Sequence, residues 1–171
     1  MTTSDKLTAE QDTGAMQRLT ATIASEDAVA SDDLDATITA VREGVNAFVQ
    51  GDTMPQKSLW SRRDDVTLAN PLGPPRRGWS NVEEAMDRAA AEFRDGTVSF
   101  EEISRVVTAD LGYLVEIERW SAKVGGRNEP SSGSLRVTMI FRRESDGWKL
   151  AHRHADTITT PRPAESVIEG R

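Results

Sequence analysis

Apolar positions recur along the chain with two periods, first close to 3.6 residues and then 2. Leu34, Ile38, Val41, Val45 and Phe48 are spaced by four, three, four and three residues, which puts them on one helical face. Ser31 or Asp32 can cap the start of this helix, and Gly51 can end it. A short helical turn over 55–60 and a short strand over 66–69 follow. Asn70-Pro71-Leu72-Gly73-Pro74-Pro75 then forms a stiff loop. A third helix is predicted over 79–93, with Ser80 as cap, Glu83 three residues on, and Asp95-Gly96 as its stop. Val82, Met86, Ala89 and Phe93 mark its apolar face.

From Thr97 the period becomes two. Strands are predicted over 97–108, 113–123, 135–143 and 148–157. Turns at 109–112 and 144–147 and a polar loop at 125–133 separate them, with Asp146-Gly147 the strongest hairpin signal. Helices segregated from a run of hairpins argue for an α+β fold. We expect a cone: a curved antiparallel sheet covered by three helices.

Residues 31–158 make this domain. Residues 1–30 form an extension, read either as a weakly amphipathic helix over 9–24 or as a flexible tail. Residues 159–171 read as a flexible tail. Its end, Ile168-Glu169-Gly170-Arg171, matches a recognition sequence of a clotting protease used to remove tags, and it is left out of the fold reasoning.

Composition narrows the function classes. The 171 residues carry a net charge of -7, and basic residues cluster only in doublets such as Arg76-Arg77. Such a chain repels phosphate backbones, so no nucleic-acid partner is expected. No apolar run approaches the roughly 20 residues of a membrane span, and no secretory signal opens the chain. Without cysteine there is no thiolate chemistry, which fits a cytoplasmic location. No cofactor motif is present, so no cofactor is expected.

Several stretches then resemble one family. They are Leu68–Trp79 (LANPLGPPRRGW), Asp110–Trp120 (DLGYLVEIERW), Leu135–Asp156 (LRVTMIFRRESDGWKLAHRHAD) and the helix carrying Phe48. Together they resemble SnoaL-like proteins of the nuclear transport factor 2-like, or ketosteroid isomerase-like, superfamily. The last run also resembles the association domain of calcium/calmodulin-dependent kinase II, a non-catalytic assembly module. The resemblance implies the cone fold, a pocket inside it and a homodimer formed through the outer face of the sheet. It does not choose between isomerases, cyclases, dehydratases and binding modules. The isomerases' first-helix tyrosine has no counterpart here, since Tyr113 is the only tyrosine.

Alternation sorts the strand side chains by face. In the kinase domain the arginine matching Arg136 points into the pocket. Carried over, this places Glu116, Glu118, Trp120, Arg136 and Thr138 inside. Val115, Ile117, Val137, Met139 and Phe141 then form an apolar outer face that a second copy would cover. A bulge on either strand would invert the sorting. Trp148, Leu150, His152, His154 and Asp156 share one face of the last strand.

His154 and Asp156 are candidate acid and base, and Arg136 is a candidate for holding negative charge. His154 is equally readable as a satisfied strand histidine and Asp156 as a sheet-end cap. Trp60, Asn70, Trp79, Glu116, Glu118, Trp120 and His152 are candidate ligand contacts, or else core, turn and ion-pair residues. His152-x-His154 with Asp156 resembles a metal set in spacing only, and no metal is expected. Two functions follow. One is acid/base chemistry on an apolar carbonyl compound, as an isomerase, cyclase or dehydratase performs. The other is a non-catalytic binding or oligomerisation module.

Overall fold

The computed structural model describes residues 33–168, together with Met16 and Thr20. The helix expected over 9–24, the caps Ser31 and Asp32 and the end Glu169–Arg171 lie outside the described residues, the helix but for those two. In chain order the elements are α1 (33–48), α2 (Met54–Ser58), β1 (Thr67–Ala69), β2 (Arg76–Arg77), α3 (Trp79–Ala90), β3 (Phe93–Val107), β4 (Leu111–Val124), β5 (Ser131–Glu144) and β6 (Gly147–Asp156). A 3-10 turn, Ala164–Val167, lies in the tail.

The strands form one sheet in the order β2-β1-β6-β5-β4-β3. It is antiparallel except where β1 runs parallel to β6. Its edge strands do not meet, so the sheet stays open. The three helices and the open sheet make the expected α+β cone. Among the described residues no helix is long and apolar enough to cross a membrane.

Three local differences from the sequence reading have clear causes. The cap of α3 is Gly78 and not Ser80, because Gly78 adopts φ 82° and turns the chain directly out of β2 into a helix that starts at Trp79. It ends at Ala90, so Phe93 belongs to β3. Asp95-Gly96 is a bulge within that strand, not a helix stop. Gly96 is required there. Its N–H donates to the Val49 carbonyl, and a Cβ would stand 2.5 Å from that oxygen.

The core fills the space between the helices and one face of the sheet. Leu34, Ile38, Val41 and Val45 of α1 and Val82 and Met86 of α3 pack on Leu114, Val137, Met139, Phe141 and Leu150. This corrects the face sorting of β5. Val137, Met139 and Phe141 are fully buried toward the helices, not on the outer face. Register gives the reason. Glu116 pairs with Val137 and Ile117 with Arg136, and directly paired residues share a face. With Glu116 inside, Val137 is inside and Arg136 outside. On β6 a bulge at Ala151 breaks the alternation. Trp148 and Leu150 face the core, and beyond the bulge Arg153 and Ala155 do. His152, His154 and Asp156 therefore point away from it.

Candidate functional site

The inner face of the sheet and the three helices enclose a cavity of about 590 Å³. Val45 and Phe48 of α1, Met86 and Ala89 of α3, and Trp60, Leu68 and Leu135 give it an apolar wall. At its exposed end stand Asn70, Pro71 and Leu72 with Thr157 and Thr159. Asn70 Oδ1 accepts the Leu72 N–H, so this side chain is partly spent on its own loop.

Two charged side chains line this largely apolar space, Glu118 from β4 and Arg153 from β6, beside the amides of Gln56 and Asn70. Arg153 Nη2 donates to Glu118 Oε2 at 2.7 Å across the intervening strand β5. Both residues are almost wholly buried, at 2% and 8% exposure. A single hydrogen bond leaves Glu118 Oε1 and Arg153 Nε without protein partners, and Trp60 Nε1 is in the same position. Native proteins pair most buried polar groups, so three such atoms on one cavity's lining point to a ligand.

A third wall is aromatic. The rings of Phe93 and Trp120 meet edge to face at 5.7 Å, and Phe48 stands 6.0 Å from Phe93. Gly133, paired with Trp120, leaves room for the indole, since a Cβ there would fall 2.5 Å from the ring.

A second pair has one end inside the cone, where Glu116 is wholly buried while Arg42 stays partly exposed. Arg42 of α1 donates to Glu116 Oε2 through Nη2 at 2.8 Å and Nε at 3.0 Å, and reaches Glu102 at 3.1 Å. Burial pushes the Glu116 carboxyl above its ordinary range, and the hydrogen bonds from Arg42 oppose that rise.

The chain matches the model of the SnoaL-like domain over residues 37–159. It belongs to the SnoaL-like family. No curated protein matches it. Among solved structures it is similar to a proposed dehydratase of the nuclear transport factor 2-like family from Streptomyces avermitilis. That pair shares 21% identity at a TM-score of 0.65, over 77% of this chain and 99% of the other. A ketosteroid isomerase-like protein from Erwinia carotovora atroseptica gives 17% and 0.59, over 79% and 98%. The calcium/calmodulin-dependent kinase II hub of S. rosetta gives 14% and 0.56, over 73% and 94%. At these identities the likeness is one of fold.

Of the residues singled out from sequence, Trp60, Asn70, Glu118 and Trp120 line the cavity of this SnoaL-like chain. Glu116 is inside the cone but is engaged by Arg42. Trp79 is not among the lining residues. It opens α3, with the Arg62 guanidinium 3.7 Å over its ring. The proposed catalytic trio, His154, Asp156 and Arg136, stands on the outer face, outside the cavity. Arg136 Nη2 donates to Asp156 Oδ2 at 2.7 Å, and His154 Nε2 is 4.0 Å from the same oxygen. Burial would raise Asp156, but Arg136, the Ile158 N–H and His154 hold it below its ordinary range. His152 also lies on this face, bonded through Nδ1 to Thr67 Oγ1 at 2.7 Å. Burial lowers its pKa, and His154 lowers it further. Among the described residues no cluster of three carboxylate or imidazole groups can hold a metal.

Sequence reasoning missed Arg42 and Arg153. A signal for each was present. Two inward carboxylates on β4 demand cationic partners. Arg42 follows Ile38 by four residues, on the flank of α1's apolar stripe. Arg153 was hidden by the bulge at Ala151.

Proposed function

We propose that the chain binds an apolar small molecule in the cone and performs acid/base chemistry on a carbonyl compound there. Glu118 is the base and Arg153 the group that stabilises negative charge. The observation that carries this reading is the buried Glu118–Arg153 pair, the charged part of an apolar cavity of about 590 Å³. That volume is in the range of small-molecule sites.

In this reading Glu118 Oε1 takes a proton from the carbon beside the carbonyl. The electron pair moves onto the carbonyl oxygen, and the resulting enolate is met by the Arg153 guanidinium, with the Trp60 indole N–H close by. Return of the proton to another carbon isomerises the substrate. Where the neighbouring carbon bears a hydroxyl, its C–O bond breaks instead, and the oxygen takes the proton held by Glu118 and leaves as water. A proposed dehydratase and a ketosteroid isomerase-like protein stand among the structural relatives, which supports a reading of this kind.

The test is proton exchange of 1-tetralone in deuterated buffer, followed by proton NMR. The wild-type chain is expected to accelerate loss of the C2 protons, and Glu118→Gln to remove the acceleration. A rate at the buffer background would end the enzyme part of the reading and leave binding alone.

A second reading has its own support. The outer face carries apolar side chains in register. Val106, Tyr113 and Ile140 form one row, and Val115 and Ile117 lie beside it. We propose that a second copy covers this face, as in an assembly module, within the cytoplasm. Val115 and Ile117 remain in the proposed interface, while Val137, Met139 and Phe141 leave it for the core. Sedimentation of Ile140→Arg checks this. The wild type should run as a dimer and the variant as a monomer, and a monomeric wild type would remove the interface.

A further inference from the structure

The unpartnered atoms in the cavity specify more than a carbonyl. We propose that the cavity is built for an uncharged ligand whose buried edge carries a carbonyl with an N–H or O–H beside it, as in a lactam or a hydroxy-ketone. The carbonyl meets Arg153 Nε, and the neighbouring donor meets Glu118 Oε1. This rests on the reading of the cone as a ligand cavity.

Charge is the first argument. Glu118 and Arg153 are the charged groups of the lining, and they cancel. A carboxylate entering the floor would bring two acceptors against Glu118, which can only accept when ionised. An ammonium would meet Arg153, which can only donate. A neutral ligand meets neither penalty.

Hydrogen-bond bookkeeping is the second. The floor offers one free acceptor, Glu118 Oε1, and one free donor of the same ion pair, Arg153 Nε. A lone carbonyl would satisfy the donor and seal the carboxylate oxygen away from water. Such an orphaned buried group carries most of the discrimination in polar sites. A ligand with donor and acceptor on one edge satisfies both. Trp60 Nε1 is a further free donor for the carbonyl's second lone pair.

Geometry is the third. Met139 pairs with Arg153 and Val137 with Ala155, so the arginine's route to Glu118 crosses small and apolar neighbours. Glu116 shares the Val137 row, but Arg42 holds its Oε2 and it is not among the residues that line the cavity.

The experiment is calorimetric titration of the full chain at neutral pH with quinolin-2(1H)-one and N-methylquinolin-2-one. The two share ring and carbonyl, and the second carries a methyl group in place of the donor hydrogen. The lactam is expected to bind roughly tenfold tighter. The pair 3-hydroxychromen-4-one and its methyl ether asks the same of an O–H donor and shows which form the site prefers. Arg153→Lys keeps the positive charge beside Glu118 but lacks Nε, and should weaken the lactam roughly tenfold while leaving quinoline unchanged. Equal affinity for methylated and unmethylated ligands in the wild type overturns the proposal and leaves the cavity reading standing. If neither ligands nor quinoline bind, the cavity reading falls and the proposal with it. The wild-type comparison decides the matter even if the lysine variant does not fold.

Discussion

Two arginine–carboxylate pairs on the same sheet have the same length and opposite surroundings. Arg153 and Glu118 meet at 2.7 Å inside the cone, with side chains 10% and 3% exposed. Arg136 and Asp156 meet at 2.7 Å on the outer face, 51% and 22% exposed. Distance therefore says nothing about what either pair does. The inner pair is held away from water, so each charge depends on the other. The outer pair is screened and replaceable by solvent. A polar group becomes a candidate site through its surroundings, and the register of the strands decides which face it occupies.

The largest expected effect breaks the inner pair. Arg153→Ala strands the Glu118 charge and should cost about 3–5 kcal/mol of stability at neutral pH, read from urea unfolding. Arg153→Met with Glu118→Leu removes both charges and should recover most of that loss. A double variant as unstable as the single one would mean that the arginine's packing, not the orphaned charge, carries the effect.

The same comparison holds for apolar side chains. Phe141 is wholly buried and Ile117 is half-buried on the outer face. Phe141→Ala should cost about 3–5 kcal/mol. Ile117→Ala should cost about 1 kcal/mol or less in dilute solution. If a second copy covers the outer face, the cost for Ile117 should grow with protein concentration while that for Phe141 should not. Unfolding at two concentrations separates them.

These contrasts also show why the fold was easier to read than the site. The helix α1 announced itself through five apolar positions at helical spacing. The hairpin at Asp146-Gly147 forms where its turn signal lies. On β4 the alternation runs without a break from Leu114 to Trp120, and Glu118 and Trp120 could be placed inside. On β5 the face was assigned through one arginine carried over from a related fold, against the plain evidence of Val137, Met139 and Phe141. Side chains that apolar, alternating with Arg136 and Arg142, bury themselves. On β6 no rule of alternation survives a bulge, and the signal for the bulge is absent from the residues around Ala151. One displaced residue moved His154 and Asp156 outward and Arg153 inward.

The smallest expected effect is also the one that tests burial most directly, because it is a sign. Asp156 on the outer face has its pKa lowered, so the folded state binds the proton less well than the unfolded chain. Its contribution is present above the ordinary aspartate value of 3.8 and is lost as pH falls through the lower folded value. Measured as wild type minus Asp156→Asn, it should stay below about 1 kcal/mol and vanish on acidification. Glu116 inside the cone has its pKa raised, so the folded state holds the proton more tightly. Measured as wild type minus Glu116→Gln, the difference should be greatest below the ordinary glutamate value of 4.5. It should then decline as pH rises through the folded value. Both carboxylates have an arginine partner, and partner alone would give both the same slope. Urea unfolding from pH 3 to 7 should therefore give slopes of opposite sign for the two differences. Two slopes of one sign would mean that the Arg42 hydrogen bonds outweigh the burial of Glu116, and that this pair behaves as the outer one does.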